Sequence, residues 1–373
     1  MSAVAEPGFL SIGQPVARAL AERAAASNRL QRTLLVHGPA ASGKDAFVDD
    51  LLALLCCTGD GERPCNTCRG CRDARERRHP DLVVGSPEQW RAERGTGESI
   101  VAAARRWLLG AAGAPIVADR RIVLIEGADR ANEQTQNVLL KALEEPGARQ
   151  MFVLVADEPS RLLPTIRSRA QPIRIGPVAR DELTTWLIDR ERLPADQANV
   201  LARVSNGFAG TALAYARTPE LIAWRRRVQG ELLELLDRGR ADRFAAVGEL
   251  IDSAIGLGGP PPTVTDVAPA DEEGATVRVA TSVQRDGALR VVDAWLQLTR
   301  DLMVAASGQA DLSPATELVP DLGATARRIP AARLAAFART LDRVHDGLGQ
   351  NASPRLALEA AMLDWPSIEP VTE

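Results

Sequence analysis

A short apolar strand pattern, TLLVHG at 33 to 38, runs directly into GPAASGK at Gly38 to Lys44 and then into a helical pattern. That order constrains the fold more than any other stretch of the chain. A glycine-bearing turn between strand and helix aims backbone N–H groups and the positive end of the helix at a single phosphate. Lys44 and Lys141 are the only lysines among 45 basic residues, and an ammonium fits a phosphate cradle as a compact point charge where a planar guanidinium does not. Strand and helix signals keep alternating: RIVLIEG at 121 to 127, a helix through Leu143, MFVLVAD at 151 to 157, then PIRI. This is the pattern of an α/β parallel sheet built on a phosphate loop.

After Gly176 and Pro177 the strand signals stop. Helical patterns at about 180 to 190, 195 to 204 and 208 to 217 predict a small helical domain over 177–218 behind a core at 1–176. Long amphipathic runs from 219 to the end predict an all-α third domain. Residues 257–276, rich in proline, glycine and acid, read as a flexible insertion within it.

Four cysteines, Cys56, Cys65, Cys68 and Cys71, follow the phosphate-loop helix with the spacing C-x8-C-x2-C-x2-C. Short gaps present neighbouring sulfurs from tight turns and the longer gap lets the chain return, so the set suits a tetrahedral structural zinc. Pro64, Asn66, Thr67, Arg69 and Gly70 make the stretch a polar loop, poor ground for burying thiols as small hydrophobes. Cys56 is preferred as the fourth ligand, His79 is the alternative, and Cys57 is expected to be the spare, facing the core beside Leu54 and Leu55.

A hydrophobic fraction of 45% with 25% charged residues fits a globular chain, no apolar run approaches the length of a membrane span, and the chain is expected in the cytoplasm because no secretory signal is apparent. A net charge of -4 argues against a protein that coats DNA by itself. Asp45 stands where a phosphate loop normally offers a hydroxyl to magnesium, and Glu126 with Gly127 ends the second strand where an acidic pair would hold magnesium and orient water. Gly38, Gly43, Lys44, Asp45 and Glu126 are therefore candidate nucleotide-site residues of a degenerate kind, and the changes weigh against ATP and magnesium in this cleft. Asp129 is either a substitute base or a helix cap.

QNVLLKALEEPG at 136 to 147, ADEPSRLLPTIRSRAQPI at 156 to 173 and GQP at 13 to 15 resemble the clamp-loader branch of AAA+ proteins, over the first 215 or so residues. The resemblance implies an AAA+ core, a helical lid and a helical collar, in a hetero-oligomer with the gamma/tau motor subunits and the delta subunit of DNA polymerase III. It also implies action on the sliding clamp and primed DNA through the assembled complex. Asp45, Glu126 with Gly127, and Gly210, which aligns with a phosphate-sensing arginine, depart from the motor pattern and are similar to a stator subunit without ATPase or polymerase chemistry of its own. The resemblance further implies that Arg169, in the Ser-Arg-Ala string at 168 to 170, reaches the ATP site of a neighbouring subunit; Ala170 replaces the family cysteine. Gln136 and Lys141, with the arginines around the cysteine loop, are candidates for DNA or interface contact. An ATP-hydrolysing motor of gamma/tau type and a zinc-dependent nucleic-acid adaptor remain the competing readings.

Overall fold

A computed structural model describes residues 7–26, 32–147, 149–255, 257, 281–309, 322–349 and 352–367. They form two compact units, one of residues 1–193 with 207–211 and one of residues 194–206 with 212–373. The segment 258–276 of the expected insertion lies outside the described residues.

The first unit is an α/β core with five parallel strands, β1 (Thr33–His37), β2 (Leu82–Gly85), β3 (Arg121–Ile125), β4 (Gln150–Ala156) and β5 (Gln171–Arg174), in the order β2-β3-β4-β1-β5. Helices cover both faces, so the central strands read as continuous apolar runs rather than alternating ones. Leu34, Val36, Leu124 and Val153 face one buried cluster with Phe47 and Leu51, while Leu35, Val123 and Phe152 face the other with Trp90 and Leu139. The helices of this unit are α1 (Pro15–Ala26), α2 (Lys44–Cys56), α3 (Arg69–Arg75), α4 (Pro87–Ala92), α5 (Ile100–Ala111), α6 (Glu133–Glu144), α7 (Pro164–Arg167) and α8 (Arg180–Glu191). The β1–β4 register pairs His37 with Ala156 and so sets the loops that follow these two strands side by side.

The remaining helices are α9 (Ala195–Val204), α10 (Ala209–Arg217), α11 (Pro219–Glu234), α12 (Arg240–Ala254), α13 (Thr281–Ala306), α14 (Leu322–Arg327), α15 (Ala331–Gly349) and α16 (Pro354–Asp364). α10 begins in the first unit, and the others belong to the second. α13 is the axis against which α11, α12, α14, α15 and α16 pack, with Trp295 fully buried along it. Arg243 of α12 is buried and donates to the carbonyls of Leu235, Leu236, Trp365 and Pro366, collecting C=O groups just past the ends of α11 and α16. No described helix is long and apolar enough to cross a membrane.

In the first unit Asp81 is a fully buried carboxylate that accepts the N–H groups of Ile116 (2.5 Å), Val117 (2.7 Å) and Ala118 (2.7 Å). Burial alone would raise its pKa, but these three donors outweigh burial and hold it below the ordinary carboxylate range. A depressed folded-state pKa adds stability that is present above the unfolded value near 3.8 and is lost as pH falls through the lower folded one. Asp81→Asn is expected to destabilise the chain by about 2 kcal/mol near neutral pH. Denaturant melts at pH 7 and pH 3 should show the gap between variant and wild type narrowing at the acid end.

Candidate functional site

The phosphate loop leaves β1 at Gly38 and enters α2 at Lys44, with Ala41 and Gly43 in the left-handed region at φ 58 and φ 91. The cleft beside it holds about 410 Å³ and is lined by Ala41, Lys44, Asp45, Glu126, Arg130 and Asp157 among others. Lys44, Glu126, Arg130 and Asp157 have partners within the chain. Lys44 is buried, ion-pairs with Asp157, and donates to the Pro39 carbonyl at 3.3 Å. Glu126 receives Arg77 at 3.3 Å, Arg77 also reaches Asp49 at 2.9 Å, and Arg130 reaches Glu88 at 3.3 Å. Two cations face three carboxylates along the cleft wall, so a polyphosphate entering it must displace an internal anion and meet others.

Gly210 closes on the same loop. Its N–H donates to the Ala41 carbonyl at 3.0 Å, and a Cβ added there would lie 2.6 Å from that oxygen and 3.0 Å from the carbonyl carbon. A long basic side chain at 210 therefore has no room in this arrangement. Asp129 is buried and accepts the N–H groups of Asp157 (3.1 Å) and Glu158 (2.8 Å), with its pKa raised chiefly by burial. Asp129 thus holds the turn after β4 rather than capping the short helix in which it lies, whose N-cap is Gly127, and it is not among the residues that line the cleft.

The cysteine cluster corrects one expected ligand. Cys57, not Cys56, joins Cys65, Cys68 and Cys71, with the four sulfurs within 4.8 Å of one another. The reason lies at the end of α2. Cys56 is the last helical residue and turns into the sheet-side core at 1% exposure, where burial first, and then the charge of Asp81, pushes its thiol up to about 12. Cys57 leaves the helix in an extended conformation and turns its sulfur toward the loop, where it accepts the Cys65 N–H at 3.5 Å. Gly70 lets α3 start against this end of α2, since a Cβ there would run into the Cys56 carbonyl.

The donor set suits a metal. Burial raises the Cys65 thiol, but the N–H groups of Cys68 and Thr67 and the Thr67 hydroxyl outweigh it and bring it down to about 6. Cys68 is likewise lowered, because hydrogen bonds from Thr58 and Cys71 overcome its burial. Cys71 is raised, mainly by burial, and becomes a thiolate only when a cation compensates it. His79 is not in the cluster; it is buried and its Nδ1 accepts the Asp81 N–H at 3.1 Å.

Arg169 sits just past α7, exposed, with one guanidinium nitrogen 2.8 Å from Glu144 and another donating to the Thr165 carbonyl at 3.1 Å. Ala170 is buried beneath it.

Residues 13–179 match the profile of the family described as DNA polymerase III, delta subunit. Over these residues the chain is similar to that family. The chain is 32% identical over 195 residues to DNA polymerase III subunit delta' of Escherichia coli (strain K12), a match covering 50% of this chain and 55% of that protein. It is 28% identical over 232 residues to the delta' subunit of Bacillus subtilis (strain 168), covering 62% and 67%. DNA polymerase III subunit gamma/tau of Mycobacterium bovis is 27% identical over 370 residues, 93% of this chain and 59% of that one. The chain thus spans between about half and two thirds of the length of these curated relatives.

Within the first unit, Gln136 departs from the exposed position expected for it. It is buried, donates to the carbonyls of Ala131 (2.9 Å) and Arg161 (3.1 Å), and accepts the Leu163 N–H at 2.8 Å. The amide thereby braces the loop that leads into α7 and Arg169. Lys141 remains exposed on α6. The arginines near the cysteines are mostly engaged within the chain: Arg69 with Asp73, Arg75 with Asp50, Arg77 with Asp49 and Glu126, and Arg78 with Glu76.

Cys57→Ser is expected to lose bound metal, whereas Cys56→Ser keeps it. Metal content of the purified variants separates the two, and retention in the first would reject the four-sulfur set.

Proposed function

We propose that the chain is the stator subunit of a clamp loader, of the delta-prime kind, acting in a cytoplasmic replisome. It assembles with gamma/tau and delta subunits, helps place a sliding clamp on primed DNA, and offers Arg169 to the ATP site of a neighbour. Residues 1–176 serve as the AAA+ core, 177–218 as the lid and 219–373 as the collar that holds the ring. Zinc, bound by Cys57, Cys65, Cys68 and Cys71, fixes the loop in the core.

The observation that carries this reading is the contrast between the chain's own cleft and Arg169. In the cleft, Lys44 is taken by Asp157 and Glu126 is neutralised by Arg77. Arg169, by contrast, is displayed at the surface, held by the half-exposed Glu144 and the Thr165 carbonyl. A solvent-exposed pair of that kind is worth about 0–1 kcal/mol, so a γ-phosphate with developing charge can take the guanidinium over. A gamma/tau-type motor requires that Asp45 and Asp129 replace the missing groups, and Asp129 is buried and engaged with the N–H groups of Asp157 and Glu158.

Arg169→Ala is expected to leave assembly intact and to abolish hydrolysis at the one site it serves, given that such arginines contribute about 10³ to 10⁵ in rate in related phosphoryl-transfer enzymes. DNA-stimulated ATPase of the reconstituted loader, set against its subunit composition, is the measurement; unchanged turnover would defeat the trans role. The isolated chain should show no ATPase above background, and activity there that vanishes in Lys44→Ala would transfer the assignment to a motor.

A further inference from the structure

The four-cysteine loop grips more than a metal. Gly8 donates to the Pro64 carbonyl at 2.8 Å, and the Asn66 side chain donates to the Gly8 carbonyl at 2.8 Å, so two backbone groups of the N-terminal segment are held by residues between the cysteines. Arg75, at the end of the helix that Cys68 caps, reaches Asn66 at 2.8 Å and Asp50 at 2.5 Å. Asp50 is fully buried on α2 and accepts the N–H groups of Leu10 (3.0 Å) and Ser11 (2.7 Å). A strap of residues 8–11 is therefore fastened at one end by the cysteine loop and at the other by a buried carboxylate whose counter-ion comes from that same module.

The strap also forms one wall of a cavity of about 530 Å³, whose far wall is α8 through Glu182, Trp186 and Asp189. We propose that the cysteine module is a metal-dependent latch on this strap, so that metal occupancy sets the position of the cavity wall. The physical chain is short. Without metal the four thiols lose their common partner, the loop 57–68 and the start of α3 lose their anchor, and Arg75 and Asn66 no longer hold their places. Asp50 is then a buried carboxylate without its cation, a state that costs more than it returns unless water enters. Water enters by lifting Leu10 and Ser11 from its oxygens. Nothing in this sequence of events needs the cleft at Lys44 or the surface at Arg169.

This inference rests on the metal reading of the four thiols, and the test separates the two. The full chain is loaded with zinc, stripped with a chelator and reloaded, while zinc content and amide hydrogen exchange are followed together. The expected result is exchange at Leu10 and Ser11 at least about tenfold faster in the stripped chain, with β3 and β4 amides unchanged and zinc restoring protection; tenfold corresponds to roughly one hydrogen bond to a charged group. Arg75→Met should reproduce the faster exchange at 10 and 11 with its zinc content intact. Protection at Leu10 and Ser11 that survives removal of the zinc overturns the latch and leaves the metal site standing. A chain that takes up no zinc overturns the metal reading itself. Acceleration of β3 and β4 in step with the strap also overturns the latch, because the metal would then hold the whole core.

Discussion

The pairing of β1 with β4 is the constraint on which both functional regions depend. By matching His37 to Ala156 it brings the phosphate loop and the turn at Asp157 together at the carboxyl ends of the strands, where open α/β sheets place their ligands. Lys44 then lies where a phosphate would meet it, and Asp157 lies where it neutralises Lys44 instead. A loop shaped for an anion is stable here because the anion is supplied by the protein. The left-handed Ala41 and the Gly210 N–H that seals its carbonyl belong to the same economy of charge and hydrogen bonds.

Buried carboxylates recur as the fastening device of the first unit. Asp50 holds the strap at Leu10 and Ser11, Asp81 holds the loop at 116 to 118, and Asp129 holds the turn at 157 and 158. In each case backbone N–H groups that no strand or helix pairs are collected by side-chain oxygen. A carboxylate is an acceptor with about four lone-pair sites, which is why one side chain can hold two or three donors at once.

Much of the core is legible in the sequence because its signals are local. The apolar runs of the first unit and the helical patterns expected from about 180, 195 and 208 all appear as strands and helices. β2 gives less warning. LVVG is only four residues long and follows a His-Pro turn, yet it forms the edge of the sheet beside β3. The ligand set turns on a single residue of helical phase, since whether Cys56 or Cys57 leaves α2 depends on where the helix ends, and helix ends are the least determined part of any local pattern. Burial of Gln136 is similarly invisible from periodicity, because its partners at Arg161 and Leu163 are distant in sequence and satisfy the amide only once the loop has folded over α6.

Those same contacts bear on why Arg169 occupies the surface. Gln136 ties both the Arg161 carbonyl and the Leu163 N–H, which fixes the approach to α7, and Ile166 of that helix and Ala170, just before β5, are buried. With 166 and 170 turned inward, Arg169 has no course but outward, where the Thr165 carbonyl and Glu144 hold its guanidinium without burying it. A buried amide is costly unless its hydrogen bonds are made, so the fold commits a fully partnered polar side chain to aiming this loop. Within the proposed stator role that commitment is intelligible. The residues that would run chemistry in the chain's own cleft are neutralised from within, and the rigid part of the core supports a charge presented to something else.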